Sequence, residues 1–138
     1  MMQFDFKGRV ALVTGGTSGI GRAVVRAFAR AGAHVAFCAR HDTGSAELVR
    51  AIESQGGQAL FVATDVRDDA AVRGLLAQVH ERYGRLDFAI NNAGIGGDMA
   101  PLERADLAVF DEVIATGVRG VFVGLRHQVP VILASGGG

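Results

Sequence analysis

Along this chain, apolar runs of strand length alternate with longer segments of helical spacing, an order that restricts it to an α/β fold built on a parallel sheet. The first run, Arg9-Val10-Ala11-Leu12-Val13, is almost continuously apolar, as expected of a strand covered on both faces. Next, Ile20, Val24, Ala27, Phe28 and Ala31 fall on one helical stripe, and Gly32 stands where a left-handed residue would end that helix. His34 to Ala39 predicts a second strand, Leu48, Val49 and Ile52 a weaker helix stopping at Gly56-Gly57, and Ala59 to Ala63 a third strand. Val72, Leu75, Leu76, Val79 and Tyr83 mark the clearest helical face, with Gly84 just past its end. A fourth strand is read from Leu86 to Ile90. Leu107, Phe110, Ile114, Val118, Val121, Leu125 and Val129 then recur every three or four residues and predict one long helix, kinked or frayed at Pro130.

The 138 residues, 49% of them apolar, suffice for one domain spanning 1–138, with no repeat or internal linker. Fourteen basic residues balance fourteen acidic ones without a run of like charge, so no footprint for nucleic acid or an anionic membrane is present. Thirteen of the basic residues are Arg, but they are spread from Arg9 to Arg126 and carry no functional weight. The single cysteine, Cys38, lies in an apolar run, which reads as a buried structural thiol and a reducing, cytoplasmic compartment. Neither a secretory leader at Met1 to Lys7 nor a membrane-spanning stretch is expected. The four histidines lack ligand spacing, so no metal site is expected.

Between the first strand and first helix stands Thr14-Gly15-Gly16-Thr17-Ser18-Gly19-Ile20-Gly21, the context that makes a glycine pattern informative. Gly15 permits a tight turn, Gly19 lets backbone N–H groups approach a pyrophosphate, and Gly21 lets helix and sheet pack closely. The helix N-terminus adds partial positive charge. A glycine turn that merely joins strand to helix is the alternative. Asn91-Asn92-Ala93-Gly94 follows strand four. Together these segments resemble the TGxxxGIG and NNAG patterns of the short-chain dehydrogenase/reductase family, in the same order and spacing. The resemblance covers the whole chain and includes Asp65-Val66 after strand three, similar to the family's adenine-side contact. It implies a Rossmann-type doubly wound sheet of order 3-2-1-4, ending after about four strands and the long helix. It also implies cofactor contacts at Gly15, Thr17, Ser18, Gly19, Ile20, Gly21, Asp65, Val66, Asn92, Ala93 and Gly94. Asp65 could instead cap the following helix, and Asn91 could tie neighbouring elements together rather than touch ligand.

In dinucleotide folds an acid at the end of strand two accepts the adenosine ribose hydroxyls of NAD, whereas Arg there accommodates the 2′-phosphate of NADP. Here the strand ends in Ala39-Arg40-His41, so NADP(H) is expected over NAD(H), with Arg40 on the phosphate. His41 would assist only when protonated. The alternative is a solvated Arg at a strand end.

Members of the family resemble one another in using a Tyr as acid/base, a Lys four residues later, a Ser, and often an Asn in the long helix. The only Tyr here is Tyr83 and the only Lys is Lys7, so no Tyr-x-x-x-Lys exists, and the helix Asn aligns with Gly117. Thr116 and Ser135 have no evident base beside them in sequence. No catalytic residue is therefore assigned. The chain reads as the front half of an oxidoreductase moving hydride between a nicotinamide and a small alcohol or carbonyl. Gly136 to Gly138 resembles the turn before the family's next strand. A non-catalytic dinucleotide-binding module and a partner-dependent interaction fragment are the alternatives. A small-molecule substrate is expected only for a full-length form. An unpaired fourth strand and an uncovered side of the long helix predict self-association.

Overall fold

A computed structural model describes residues 3–137, so Met1, Met2 and Gly138 lie outside it, including the last residue of the turn expected at 136–138. Its elements are β1 (Val10–Thr14), α1 (Gly19–Arg30), β2 (His34–Ala39), α2 (Ser45–Glu53), β3 (Ala59–Ala63), α3 (Asp69–Tyr83) and β4 (Phe88–Asn91). A single 3-10 turn at Leu102–Arg104 precedes α4 (Leu107–Ile114), a π-helical turn (Ala115–Arg119) and α5 (Gly120–Ala134). The four strands form one parallel sheet in the order β3-β2-β1-β4, the order implied by the sequence resemblance.

Side chains alternate across the pleat and build a core on each face of that sheet. On one face Leu12, Ala36 and Cys38 meet Val72, Leu75, Leu76 and Val79 of α3 and Val123 of α5. On the other, Val13, Val35 and Phe37 meet Val25 of α1 and Leu48 and Ile52 of α2. Burial on both faces explains why β1 and β2 read as continuous apolar runs. Among the described residues no helix is long and apolar enough to cross a membrane.

Several expected boundaries and faces are corrected. Strand β1 begins at Val10 because the Arg9 N–H is spent on a turn to Phe6, and β4 runs from Phe88 to Asn91 rather than from Leu86 to Ile90. At Asp87 the carboxylate, not a carbonyl, accepts the Val10 N–H at 2.9 Å, which delays the regular ladder. On α1 the buried line is Gly21 and Val25, with Val24 and Phe28 beside it. Ile20, 76% exposed, and Ala27 turn away from the core, because Gly21 must face the Gly15 carbonyl.

The largest correction concerns the long helix. Leu107, Phe110, Ile114, Val118, Leu125 and Val129 point outward, with Leu107 at 78% exposure, while Thr116, Gly120, Val123, Gly124 and Gln128 face the body. Close approach to the sheet demands small residues there. A Cβ at Gly124 would lie 2.6 Å from Asn91 Oδ1, and one at Gly120 2.7 Å from Val66. The Asn91 and Gln128 amides donate to one another at 2.9 and 2.8 Å, so Asn91 ties β4 to α5. Gly117 sits in the π-helical turn, where a Cβ would meet no heavy atom within 4 Å. Pro130 does not end the helix, which continues to Ala134.

Candidate functional site

At the C-terminal ends of the strands, the loops after β1, β2, β3 and β4 enclose a cleft of about 840 Å³. This is where open parallel sheets place ligands, since the first strand pair on each side of β1 diverges into different loops. The turn after β1 is held by its neighbours. Gly16 N–H donates to the Cys38 carbonyl at 3.0 Å, Ala93 N–H to Thr14 Oγ1 at 3.0 Å, and the Asn92 amide to the Thr14 and Gly15 carbonyls at 3.1 and 3.2 Å.

Three glycines act differently. Gly15, at φ +67°, would bring a Cβ within 2.9 Å of the Ala93 Cα, so it serves both turn and packing. Gly19, at φ +51°, faces open space. A Cβ on Gly21 would fall 2.0 Å from the Gly15 carbonyl oxygen. Ser18 occupies the N-cap of α1 without capping it, and no acid stands in the first turn. The leading N–H groups of α1 are thus left for an anion. The cradle fits a pyrophosphate in shape and in sign of charge.

Eleven of the twelve residues singled out from sequence line this cleft: Gly15, Thr17, Ser18, Gly19, Ile20, Arg40, Asp65, Val66, Asn92, Ala93 and Gly94. Gly21 lies beneath it, buried against the turn. The cleft also contains residues that sequence reasoning passed over. Arg22, in the first turn of α1, lines it together with Arg40 and His41, and reaches Glu47 of α2 only at 3.8 Å. Its signal was its place directly after Gly21, where a helix side chain can lean toward the loop after β2. Thr64, Ile95 and buried Thr116 complete the wall.

Asp65 does not cap α3. That role belongs to Asp68, whose carboxylate accepts from Ala70 and Ala71 N–H. Arg67 grips Asp65 instead, at 2.7 Å, and this hydrogen bonding holds the Asp65 carboxyl below the usual carboxylate range. Cys38 is buried under the turn. Burial pushes its thiol up to about 11, against a smaller opposing effect of the Gly15 N–H, so it is a poor nucleophile at neutral pH. Tyr83 packs at the far side of the sheet against His34, with ring centroids 5.1 Å apart, and Ser135 is occupied by the Leu86 N–H and Val131 carbonyl. Neither lines the cleft. His127 pairs with Asp69 at 2.8 Å, joining α5 to α3. Among the described residues no three His, Cys, Asp or Glu side chains are grouped to hold a metal.

The sequence profile described as short chain dehydrogenase matches residues 9–138. The A-factor type gamma-butyrolactone 1'-reductase (1S-forming) of Streptomyces virginiae is 45% identical over 94% of this chain and 51% of its own length. The 3beta-hydroxysteroid dehydrogenase of Mediterraneibacter gnavus is 40% identical over 99% of this chain and 49% of its own length. A metagenomic short-chain oxidoreductase solved in complex with NADP superposes with a TM-score of 0.89 at 33% identity, over 96% of this chain and 60% of that one. The chain spans about half the length of the relatives it matches. The glycine turn, the strand order and the profile match agree, and the chain belongs to the short chain dehydrogenase family.

Proposed function

We propose that this chain is the cofactor-holding part of an oxidoreductase that moves hydride between a nicotinamide dinucleotide and a small alcohol or carbonyl substrate. We propose further that residues 1–138 act as one dinucleotide-binding domain, and that NADP(H) is favoured over NAD(H). The family binds nicotinamide cofactors on a Rossmann-type fold. The observation that carries the finer reading is the cleft wall at the end of β2, which both Arg40 and Arg22 line and where Ala39 stands in place of an acid.

In this reading the backbone of Gly15 to Gly21 holds the pyrophosphate, with the Thr17 and Ser18 hydroxyls and Ile20 at its lip. Arg40 and Arg22 hold the 2′-phosphate. Asp65 and Val66 border the adenine, and Asn92, Ala93 and Gly94 border the ribose nearer the nicotinamide. When bound, the nicotinamide supplies the hydride donor or acceptor. Proton transfer to the substrate oxygen would need a group near neutrality, and these 138 residues hold no Tyr-x-x-x-Lys to provide it. Catalysis is therefore assigned to residues beyond this segment. One relative is named a reductase and another a dehydrogenase, which supports the reaction class.

Calorimetric titration with NADPH and NADH at matched ionic strength tests the assignment. Arg40→Ala is expected to weaken NADPH about tenfold, the loss of one charged hydrogen-bonding partner, and to leave NADH within about twofold. Ala39→Asp is expected to move preference the same way. Equal loss for both dinucleotides would sink the phosphate assignment.

The outward apolar row on α4 and α5 supports self-association of the isolated chain. Sedimentation velocity is expected to show a concentration-dependent shift beyond the monomer. A single monomeric peak at every concentration would remove this part of the reading.

A further inference from the structure

Strand β3 closes one end of the sheet, and among the described residues no strand pairs with its outer side. Two bonds frame its ladder to β2. Val35 N–H donates to the Gln58 carbonyl at 3.1 Å, and Thr64 N–H to the Ala39 carbonyl at 2.8 Å. A parallel ladder uses alternate residues of a strand, so positions 58, 60, 62 and 64 face β2, and the N–H and carbonyl groups of Ala59, Phe61 and Ala63 point outward. Natural edges are commonly blunted by a Lys, a Pro or a bulge. Ala59 to Ala63 contains no Lys or Pro, and its register with β2 is unbroken.

The side chains of this edge are only half-buried, Leu60 and Val62 on the α3 face of the sheet and Phe61 on the α2 face. Two shallow grooves run beside them. One, of about 440 Å³, has Arg50 and Glu53 of α2, Phe61 and Arg82 in its wall. The other, of about 320 Å³, is lined by Leu60, Gln78, Glu81 and Arg82. Leu60 borders both grooves, and each helix brings one acid and one Arg to the edge. Balanced charge of this kind offers no net attraction to an acidic or a basic peptide. It complements a copy of itself turned about a two-fold axis, because each charge then meets its opposite.

We propose that the outer edge of β3 docks a second copy of this chain, the two strands pairing antiparallel about a two-fold axis beside Leu60. In that register Leu60 stands against the partner's Leu60 as a non-hydrogen-bonded pair, while Ala59 and the partner's Phe61 exchange both backbone hydrogen bonds. The small Ala59 leaves room for the partner's Phe61 ring. Arg50 faces the partner's Glu53, and Glu81 the partner's Arg82. The contact is separate from the outward row on α5, which is tied to β4 at the other end of the sheet.

Disulfide trapping tests the pairing. Leu60→Cys sets two thiols across the axis on Cα atoms about 4.5 Å apart, within the span of a disulfide. Cys38 is buried and takes no part. In a glutathione redox buffer Leu60→Cys is expected to give a covalent dimer. Gln58→Cys, although more exposed, would hold its thiols on Cα atoms about 14 Å apart and is expected to give about a tenth as much or less. Arg50→Glu and Glu53→Arg are each expected to slow the Leu60→Cys crosslink about tenfold, and the double exchange to restore its rate to within about twofold. In the unmodified chain the Ala59 and Phe61 N–H groups are expected to exchange with solvent about tenfold more slowly at high than at low protein concentration. Association through the row on α4 and α5 alone would leave that exchange unchanged. Exchange independent of concentration overturns the proposal, as does a Leu60→Cys yield no greater than that of Gln58→Cys, or a double exchange that fails to recover the crosslink.

Discussion

Gly21→Ala is expected to abolish measurable dinucleotide binding and to destabilise the fold. The added Cβ would sit 2.0 Å from the Gly15 carbonyl oxygen and 2.5 Å from Asn92 Nδ2. Neither can retreat cheaply. The carbonyl belongs to the tight turn itself, and the Asn92 amide is committed to the Thr14 and Gly15 carbonyls. Relief requires α1 to move away from β1, which breaks packing of Val25 and displaces the N–H groups at the start of the helix. Overpacking of this kind costs about 3 kcal/mol. Losing two N–H donors to a phosphate would weaken binding by about a hundredfold or more. Denaturant unfolding and calorimetry measure the two effects separately. Gly74→Ala provides the comparison, since Gly74 lies within α3 with nothing within 4 Å of its would-be Cβ. That variant is expected to gain up to about 1 kcal/mol from helix propensity. Wild-type binding and stability in Gly21→Ala would refute the close packing of turn and helix.

The second large effect lies at the opposite end of the sheet. The Asp87 carboxylate, 7% exposed, accepts from Arg85 at 2.6 and 2.9 Å, from Arg9 at 3.0 Å and from the Val10 N–H at 2.9 Å. The Arg85 guanidinium, the Val10 N–H and Arg9 together hold its carboxyl down at about 2. A carboxyl with a depressed folded-state pKa adds stability that is complete above its unfolded value, about 3.9, and disappears as pH falls through the folded value. The contribution is about 2 kcal/mol, lost between roughly pH 4 and pH 2. Asp87→Asn keeps the shape and removes the charge. At pH 7 it is expected to unfold about 2 kcal/mol more easily, a midpoint lowered by roughly 8 °C. Its stability should fall less than that of the unmodified chain over the acid window, and its dinucleotide affinity should stay within about twofold, because the cleft is at the other ends of the strands. Parallel pH curves for the two proteins would show that Asp87 does not carry the acid sensitivity.

Much of the architecture is written locally. The strands β2 and β3 run over the residues read from their apolar runs, and the glycines at 32, 56 and 84 adopt positive φ at or just beyond the ends of α1, α2 and α3. Eleven of the twelve singled-out residues line one cleft because the motifs sit at strand ends, and parallel strands bring those ends together. The edges of β1 and β4 were less legible. Their limits depend on Asp87, which lies 77 residues from Val10 in sequence and reaches it only through the fold.

The same distance in sequence separates what periodicity conveys from what it omits. A spacing of three and four residues states that the long helix has an apolar face, and says nothing of what that face meets. In the folded chain the opposite face, with Gly120, Gly124 and Gln128, is the one against the sheet, and the apolar row points outward. Likewise Asp65 and Arg40 could be read from their places after strands. The Arg67 fork anchored on Glu112, and the approach of Arg22 to the cleft, could not. Local sequence was sufficient for most of the elements, their succession along the chain and the glycine turn after β1, since each follows from residues within a few positions of one another. The facing of the long helix and the partners of Asp65, Asp87 and Asn91 were settled by tertiary structure, because packing decides which distant side chains share a site.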